Sequence, residues 1–242
     1  FDQILDRLAA TSNWLVAQWR AGAWIAANCT GTFILAQTGL LDGRTVTTTW
    51  WLERQFRARY PKVDLQIRSV ITESDRLVCA GASASYLLQA IRIIERFSGP
   101  AIASQTAKSS LIDVSQTSQV PYLPLLAERA HSDSLVERAQ HWLQSNLTEE
   151  LRISELAEAL AISDRTLIRR FKAALNQAPL AYLQDLRLEA ARALLETGDL
   201  SVEVIGGQVG YNDTSSFSRL FRQRIGMSPG AYRRRFQIKS AP

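Results

Sequence analysis

Two places in this chain carry residues whose types and spacing could do chemistry: a cysteine near the start and outward-facing arginines near the end. Cys29 follows a short apolar stretch, Trp24 to Asn28, and precedes a helical pattern over Thr32 to Leu40. That strand, turn, helix order is the geometry of a nucleophile elbow. A helix dipole would activate a thiolate there, but hydrolysis also needs a base to manage protons. Cys79, the other cysteine, ends an apolar strand from Arg76 and is read as a small buried residue. With His131 and His141 the only histidines and no CxxC spacing, disulfide frameworks and zinc sites are unsupported; no metal or cofactor is expected, and a reducing cytoplasm fits.

The arginines lie on a different kind of element. From Asp164 to Leu175 the apolar residues Leu167, Phe171, Ala174 and Leu175 recur at helical spacing, so Arg165, Arg169 and Lys172 point the other way. A helix buried on one face with arginine on the other can lie in the DNA major groove, where guanidinium meets guanine O6 and N7 in a bidentate fit. Ser163 is placed to cap this helix and Asp164 suits its dipole. Just before it, Ile153, Leu156, Ala157 and Leu160 make one face of a short helix, and Ala161 and Ile162 turn the chain. This is a helix-turn-helix.

The pattern returns about fifty residues later. Val202, Ile205, Gly206 and Val209 form the short helix, Gly210 the turn, and Phe217, Leu220 and Phe221 the core face of a second recognition helix. Leu156 aligns with Ile205 at an offset of 49 and Phe171 with Phe221 at 50, so the second turn is one residue longer. Between the units, Pro179 opens a long helix to about Glu196, with Leu183, Leu186, Ala190 and Leu194 expected on its buried face. Its roughly 27 Å could hold two recognition helices near one DNA turn, about 34 Å, apart. A single arginine-faced helix is more often just a solvated surface. Two matched units joined by a helix shift the balance to DNA.

The positioning elements divide the chain. Residues 1–112 alternate strand and helix, with a strand also expected over Leu65 to Ile71, a helix from Ser83 to Phe97 stopped by Ser98, Gly99 and Pro100, and another over Ile102 to Ile112. That is an α/β pattern. Residues 113–131 are rich in Ser, Thr, Gln and Pro and read as a linker, and 132–238 as an all-α domain. The uncharged run Ala21 to Leu41 could span a membrane by length, but its polar residues and glycines mark it as buried soluble structure. The 242 residues carry net charge +5, too mild alone to establish nucleic-acid binding. Its placement says more: beyond Asp213 no acidic residue occurs, while Arg219, Arg222, Arg224, Arg233, Arg234, Arg235 and Lys239 follow.

The segments SDRTLIRRF, PLAYLQDLRLEAARALL and VGYNDTSSFSRLFRQRIGMSPGAYRRRF resemble the DNA-binding domain of the AraC/XylS family of bacterial regulators, over roughly one hundred residues. The resemblance implies a transcription regulator, not an enzyme, whose base-reading places fall on Arg165, Thr166, Ile168 and Arg169 in the first recognition helix. In the second they fall on Thr214, Ser215, Ser218 and Arg219. Ile168 could touch a thymine methyl or pack in the core. Arg170, Lys172, Arg222 and Arg224 are assigned to phosphates or solvent. Gly206 and Gly207 stand where the family commonly has alanines and are expected to loosen the second unit; Asn176 replaces a glycine at a helix stop, which asparagine tolerates.

The stretch AWIAANCTGTFILAQTGLLDGRTVTTTWW resembles the class I glutamine-amidotransferase-like (PfpI-type) domain that occurs fused to AraC-type domains. That implies a partial flavodoxin-like sheet, with Thr49 standing where the related enzymes carry a histidine base. Without that base the domain is expected to be a non-catalytic small-molecule sensor or a dimerisation module. The alternative is a cysteine-dependent hydrolase or amidase fused to a DNA-binding tail. Promoter DNA, a small-molecule effector and RNA polymerase are the partners so implied, with a homodimer where the first domain is complete and no membrane association. The chain opens at Phe1 without a basic n-region, so no signal peptide is expected, and the resemblance implies a truncation before it.

Overall fold

The computed structural model describes residues 7–126 and 131–238 and divides into two compact units, Phe1–Val120 and Pro121–Pro242. Phe1, Lys239 and residues 127–130 of the expected linker lie outside the described residues.

In the first unit helices surround a small mixed sheet. Helix α1 (Ala9–Arg20) leads to strand β1 (Ile25–Asn28), helix α2 (Gly31–Gln37) and strand β2 (Thr45–Val46). A 3-10 turn, Trp50–Leu52, then enters helix α3 (Glu53–Arg59), followed by β3 (Asp64–Leu65), β4 (Ile71–Ser74) and β5 (Leu77–Ala80). Helices α4 (Ser85–Ser98) and α5 (Pro100–Ser109) close it, with Gly99 at positive φ between them and Pro100 opening α5. β5 is central, parallel to β1 and antiparallel to β4, while β2 and β3 form a separate parallel pair. The uncharged run from Ala21 to Leu41 is β1, a turn and α2. Among the described residues no helix is long and apolar enough to cross a membrane.

One expectation fails here, for a physical reason. Leu65 to Ile71 is not one strand: Val63, Leu65 and Ile67 are buried in alternation with exposed Asp64, Gln66 and Arg68, but only Asp64–Leu65 pairs as strand, because β2 offers just two residues. The strand partner of β5 is β4, reached by a turn in which Asp75 (φ 45) and Arg76 (φ 64) are both left-handed. Such two-residue turns normally announce themselves with glycine. Here tertiary contacts hold the turn: Asp75 pairs with Arg44 at 3.1 Å and its carbonyl accepts from the Trp19 indole, while Arg76 donates to the Trp19 carbonyl and lies over that ring.

Several described residues of the expected linker make specific hydrogen bonds. Gln119 is buried, its Nε2 donating to Thr47 Oγ1 and to the carbonyls of Thr48, Ile67 and Ser69 while Oε1 accepts from Ala82 N–H. A Cβ on Gly81 would stand 2.3 Å from Gln119 Oε1. In the second unit, Arg192 donates to the carbonyls of Pro121 and Leu123, and Glu189 accepts from Leu125 N–H. Polar, aperiodic sequence is held here by satisfied hydrogen bonds rather than an apolar face.

The second unit is all helix: α6 (Ser134–Ser145), α7 (Ile153–Ala159), α8 (Asp164–Leu175), α9 (Pro179–Thr197), α10 (Val202–Gln208), α11 (Thr214–Ile225) and α12 (Pro229–Phe236). It has two cores. Tyr182 and Leu183, early in α9, join Leu143, Leu156, Leu167 and Phe171; Leu188, Ala191 and Leu195, later in α9, join Ile205, Phe217, Phe221 and Tyr232. The buried face of α9 therefore differs from the expected one. Leu186, Ala190 and Leu194 are only partly buried, because a helix apolar on several sides serves two cores at once.

Candidate nucleic-acid interface

Each recognition helix is built by the same local devices. Ser163 accepts from Thr166 N–H to cap α8, and Asp213 accepts from the N–H groups of Ser215 and Ser216 to cap α11. Asn176 (φ 53) and Gly226 (φ 86) end them in the left-handed conformation. In the turns, Ala161 (φ 54) and Gly210 (φ 88) occupy matching left-handed positions. The repeat reaches further than the two motifs: Phe171 meets Tyr182 edge-on at 5.4 Å, and Phe221 meets Tyr232 edge-on at 5.5 Å. Each pair locks a recognition helix to the helix that follows it. Asn212, between Tyr211 and the capping Asp213, accounts for the longer second turn.

On α8, Leu167 and Phe171 are buried while Arg165, Arg169 and Lys172 are exposed. Ile168 is 43% exposed, which removes the core alternative for its side chain. Thr166 is half-buried, and its hydroxyl lies 3.0 Å from Ser163 Oγ, so it serves the cap. On α11, Phe217 and Phe221 are buried, Ser215 and Arg219 are exposed, and Thr214 and Ser218 are half-buried. The expected site residues thus share the solvent side of their helices.

The cations sort into two groups. Arg170 and Arg224, assigned from sequence to phosphates or solvent, are structural. Arg170 grips Asp133, the cap of α6, through two bonds of 2.8 and 2.6 Å; it holds that carboxyl below the usual range. Arg224 binds Asp185 at 2.6 Å, and burial outweighs this pairing to push the Asp185 carboxyl up. Arg233 donates to the Leu200 carbonyl, and Arg235 lies over the Tyr122 and Phe236 rings. By contrast Arg165, Arg169, Lys172, Arg219 and Arg222 make no ion pair among the described residues. Sequence separated these groups poorly, since the partners Asp133 and Asp185 lie 37 and 39 residues away.

The two glycines of α10, expected to loosen it, have different surroundings. Gly206 is buried, and a Cβ there would lie 3.3 Å from the Phe217 ring, so its smallness seats α11. Gly207 faces open space.

In the first unit Cys29 (φ 54) sits between β1 and α2, its N–H shared between the Ala80 and Gly81 carbonyls. Its sulfur meets the Ser83 hydroxyl at 4.0 Å. Thr49 is fully buried, and its hydroxyl has no hydrogen-bond partner among the described residues. The two histidines belong to the other unit. Cys79 is buried, which pushes its thiol up to about 12.

Residues 156–235 match the family model described as a helix-turn-helix domain. The chain is 30% identical over 212 residues to the HTH-type transcriptional regulator ArgR of Pseudomonas aeruginosa, covering 87% of this chain and 64% of that protein. It is 29% identical over 241 residues to the HTH-type transcriptional regulator CdhR of the same organism, covering 99% and 71%. It therefore spans only about two thirds of the length of such relatives. Among solved structures it is similar to the C-terminal domain of AraT, a response regulator from Geobacillus stearothermophilus: 29% identity, 48% of this chain, 94% of that one, TM-score 0.44.

Proposed function

We propose that this chain, whose C-terminal unit is an all-helical helix-turn-helix domain of the AraC type, is a sequence-specific transcription regulator that reads promoter DNA with α8 and α11. One observation carries the reading. In two copies of one motif, the inward cations Arg170 and Arg224 are tied to carboxylates, while those on the solvent side of the recognition helices make no salt bridge among the described residues, Arg219 meeting the capping Asp213 only through longer-range attraction. Such a surface satisfies its charge on an external polyanion.

Arg165 and Arg169 read guanine edges and exposed Ile168 meets a thymine methyl. Lys172 and Arg222 serve phosphates. Thr166 acts mainly through the cap. On α11, Thr214, Ser215 and Ser218 are short, leaving Arg219 as the long reader, so the first unit dominates specificity and the second anchors.

The first unit is the sensory or dimerising part, an amidotransferase-like domain. The alignment to a transcriptional regulator through both units supports this. Its sheet follows the strand, cysteine, helix order of that fold, and the hydrogen-bond partner of the Cys29 sulfur among the described residues is the Ser83 hydroxyl, which is no base. An effector bound there and RNA polymerase at the promoter are the further partners of such a regulator.

The test is a titration of the full chain against promoter fragments across salt. Affinity should fall steeply with salt, and one sequence should be preferred by about 10³ or more over random DNA. Salt-independent or sequence-blind binding refutes the reading.

A further inference from the structure

The second unit has two cores, each carrying one recognition helix, and one side chain between them touches the surroundings of both. Arg187 projects from the middle of α9. Its Nε donates to the Leu147 carbonyl at 2.9 Å and its Nη2 to the Glu149 carbonyl at 2.6 Å. Those carbonyls belong to the loop after α6, and Leu147 packs on the core under α8. The same guanidinium lies over the Tyr211 ring, 5.5 Å from its centroid. Tyr211 follows the second turn, packs on the core under α11, and stands 5.4 Å from Phe217. The turn itself makes room, since a Cβ on Gly210 would lie 2.8 Å from the Arg187 guanidinium carbon.

We infer that Arg187 is a positioning residue: a strut that fixes the second helix-turn-helix against the first and so sets the spacing between two DNA half-sites that the chain accepts. The chemistry suits the task. A guanidinium offers a planar fork for two carbonyls and a face for an aromatic ring at once, which an ammonium cannot. Its position suits it too. α9 runs through both cores, and the short segment before α6 also touches both, with Leu125 on the second core and Leu126 on the first. Arg187 adds a further tie, on the side where the loop after α6 and the second turn approach each other. Asp185, two residues earlier, ties α9 to α11 through Arg224 but touches nothing of the first core among the contacts described.

The inference rests on the DNA-reading proposal only for its consequence, so the experiment has two arms. In the first, the full chain and its Arg187→Ala, Arg187→Lys and Tyr211→Leu variants are titrated against a single half-site, the natural two-half-site operator, and operators with two base pairs inserted or removed. Two base pairs turn the second site by roughly 70°. The wild type should lose its bivalent advantage on the altered operators. Arg187→Ala should bind the single half-site unchanged, lose roughly tenfold on the natural operator, and show a flattened dependence on spacing; Arg187→Lys should behave nearly like Arg187→Ala, and Tyr211→Leu should lie between.

In the second arm, spin labels at Lys172→Cys and Arg222→Cys, in a chain with Cys29→Ala and Cys79→Ala, report the distance between the recognition helices by pulsed electron paramagnetic resonance without DNA. The distribution should be narrow in the wild type and broadened by Arg187→Ala. A destabilised but unbraced role would lower half-site and operator affinity equally and leave the spacing profile intact, and that result, or an unchanged distance distribution, overturns the strut. Should the wild type bind no DNA, the regulator reading falls while the distance arm still decides this one.

Discussion

Gly206 and Gly207 are adjacent in one short helix and should respond oppositely to the same substitution. Both lie inside α10, where glycine costs up to about 1 kcal/mol against alanine. At Gly207 the added methyl meets nothing within 4 Å, so Gly207→Ala should collect most of that propensity, about 0.5–1 kcal/mol near the helix end. At Gly206 the methyl would stand 3.3 and 3.5 Å from two Phe217 ring carbons. Phe217 is fully buried and braced by Tyr211 and Phe221, so it has little room to yield. Overpacking of this kind costs about 1–3 kcal/mol, more than the helix gain. The two alanines should therefore differ by at least about 1 kcal/mol, or roughly 3–5 °C in the transition of a unit this size. Thermal and urea unfolding followed by circular dichroism would read it. In a Phe217→Leu background the two should converge within about 0.5 kcal/mol, since the opposing ring is gone. If Gly206→Ala stabilises the wild type as much as Gly207→Ala does, the argument that Gly206 seats α11 is wrong.

The turns make a matched pair: Gly210→Ala should destabilise by about 1–2 kcal/mol through its φ of 88° and the nearby Arg187, whereas Ala161→Gly should be neutral or stabilising by up to about 1 kcal/mol, read in the same melts. Arg169→Ala should weaken operator binding by about 1–3 kcal/mol and relax one base pair without changing stability. Arg170→Ala should instead lower the unfolding midpoint and leave sequence preference alone, because it frees Asp133 rather than a DNA contact. Asp133 is held below its ordinary 3.8 by Arg170, and Asp213 below the same value by Ser216 and the backbone N–H groups it caps. With folded values depressed, their stabilisation is complete above about pH 4 and lost as pH falls through those lower values; urea midpoints between pH 6 and 2 should drop, and Asp133→Asn should flatten the drop. Alkylation at pH 8 followed by peptide mapping should find Cys29 modified well before Cys79, whose thiol stays protonated.

The helix-turn-helix repeat was legible because its determinants are local. Caps at Ser163, the stop at Asn176, Pro179 opening a helix and the periodic Leu167, Phe171 and Leu175 act within a turn or two of where they stand. The first unit read less well. Its Asp75–Arg76 turn lacks glycine and is held by Trp19 and Arg44, and Gln119 is buried through bonds to residues 37 to 72 positions away. No window of sequence contains those partners.

The same division runs through the interface. Which residues face outward on α8 and α11 follows from a period of 3.6, and the sequence alone determined it: Arg165, Arg169 and Arg219 against Leu167, Phe171, Phe217 and Phe221. Which cations are available to a partner did not follow. Arg170, Arg187 and Arg224 look as free as Arg169 in sequence, and only the folded chain brings Asp133, the Leu147 and Glu149 carbonyls and Asp185 within hydrogen-bonding reach of them. Periodicity fixes a direction about one helix axis, whereas pairing needs two elements placed against each other, and that placement exists only once both cores have formed.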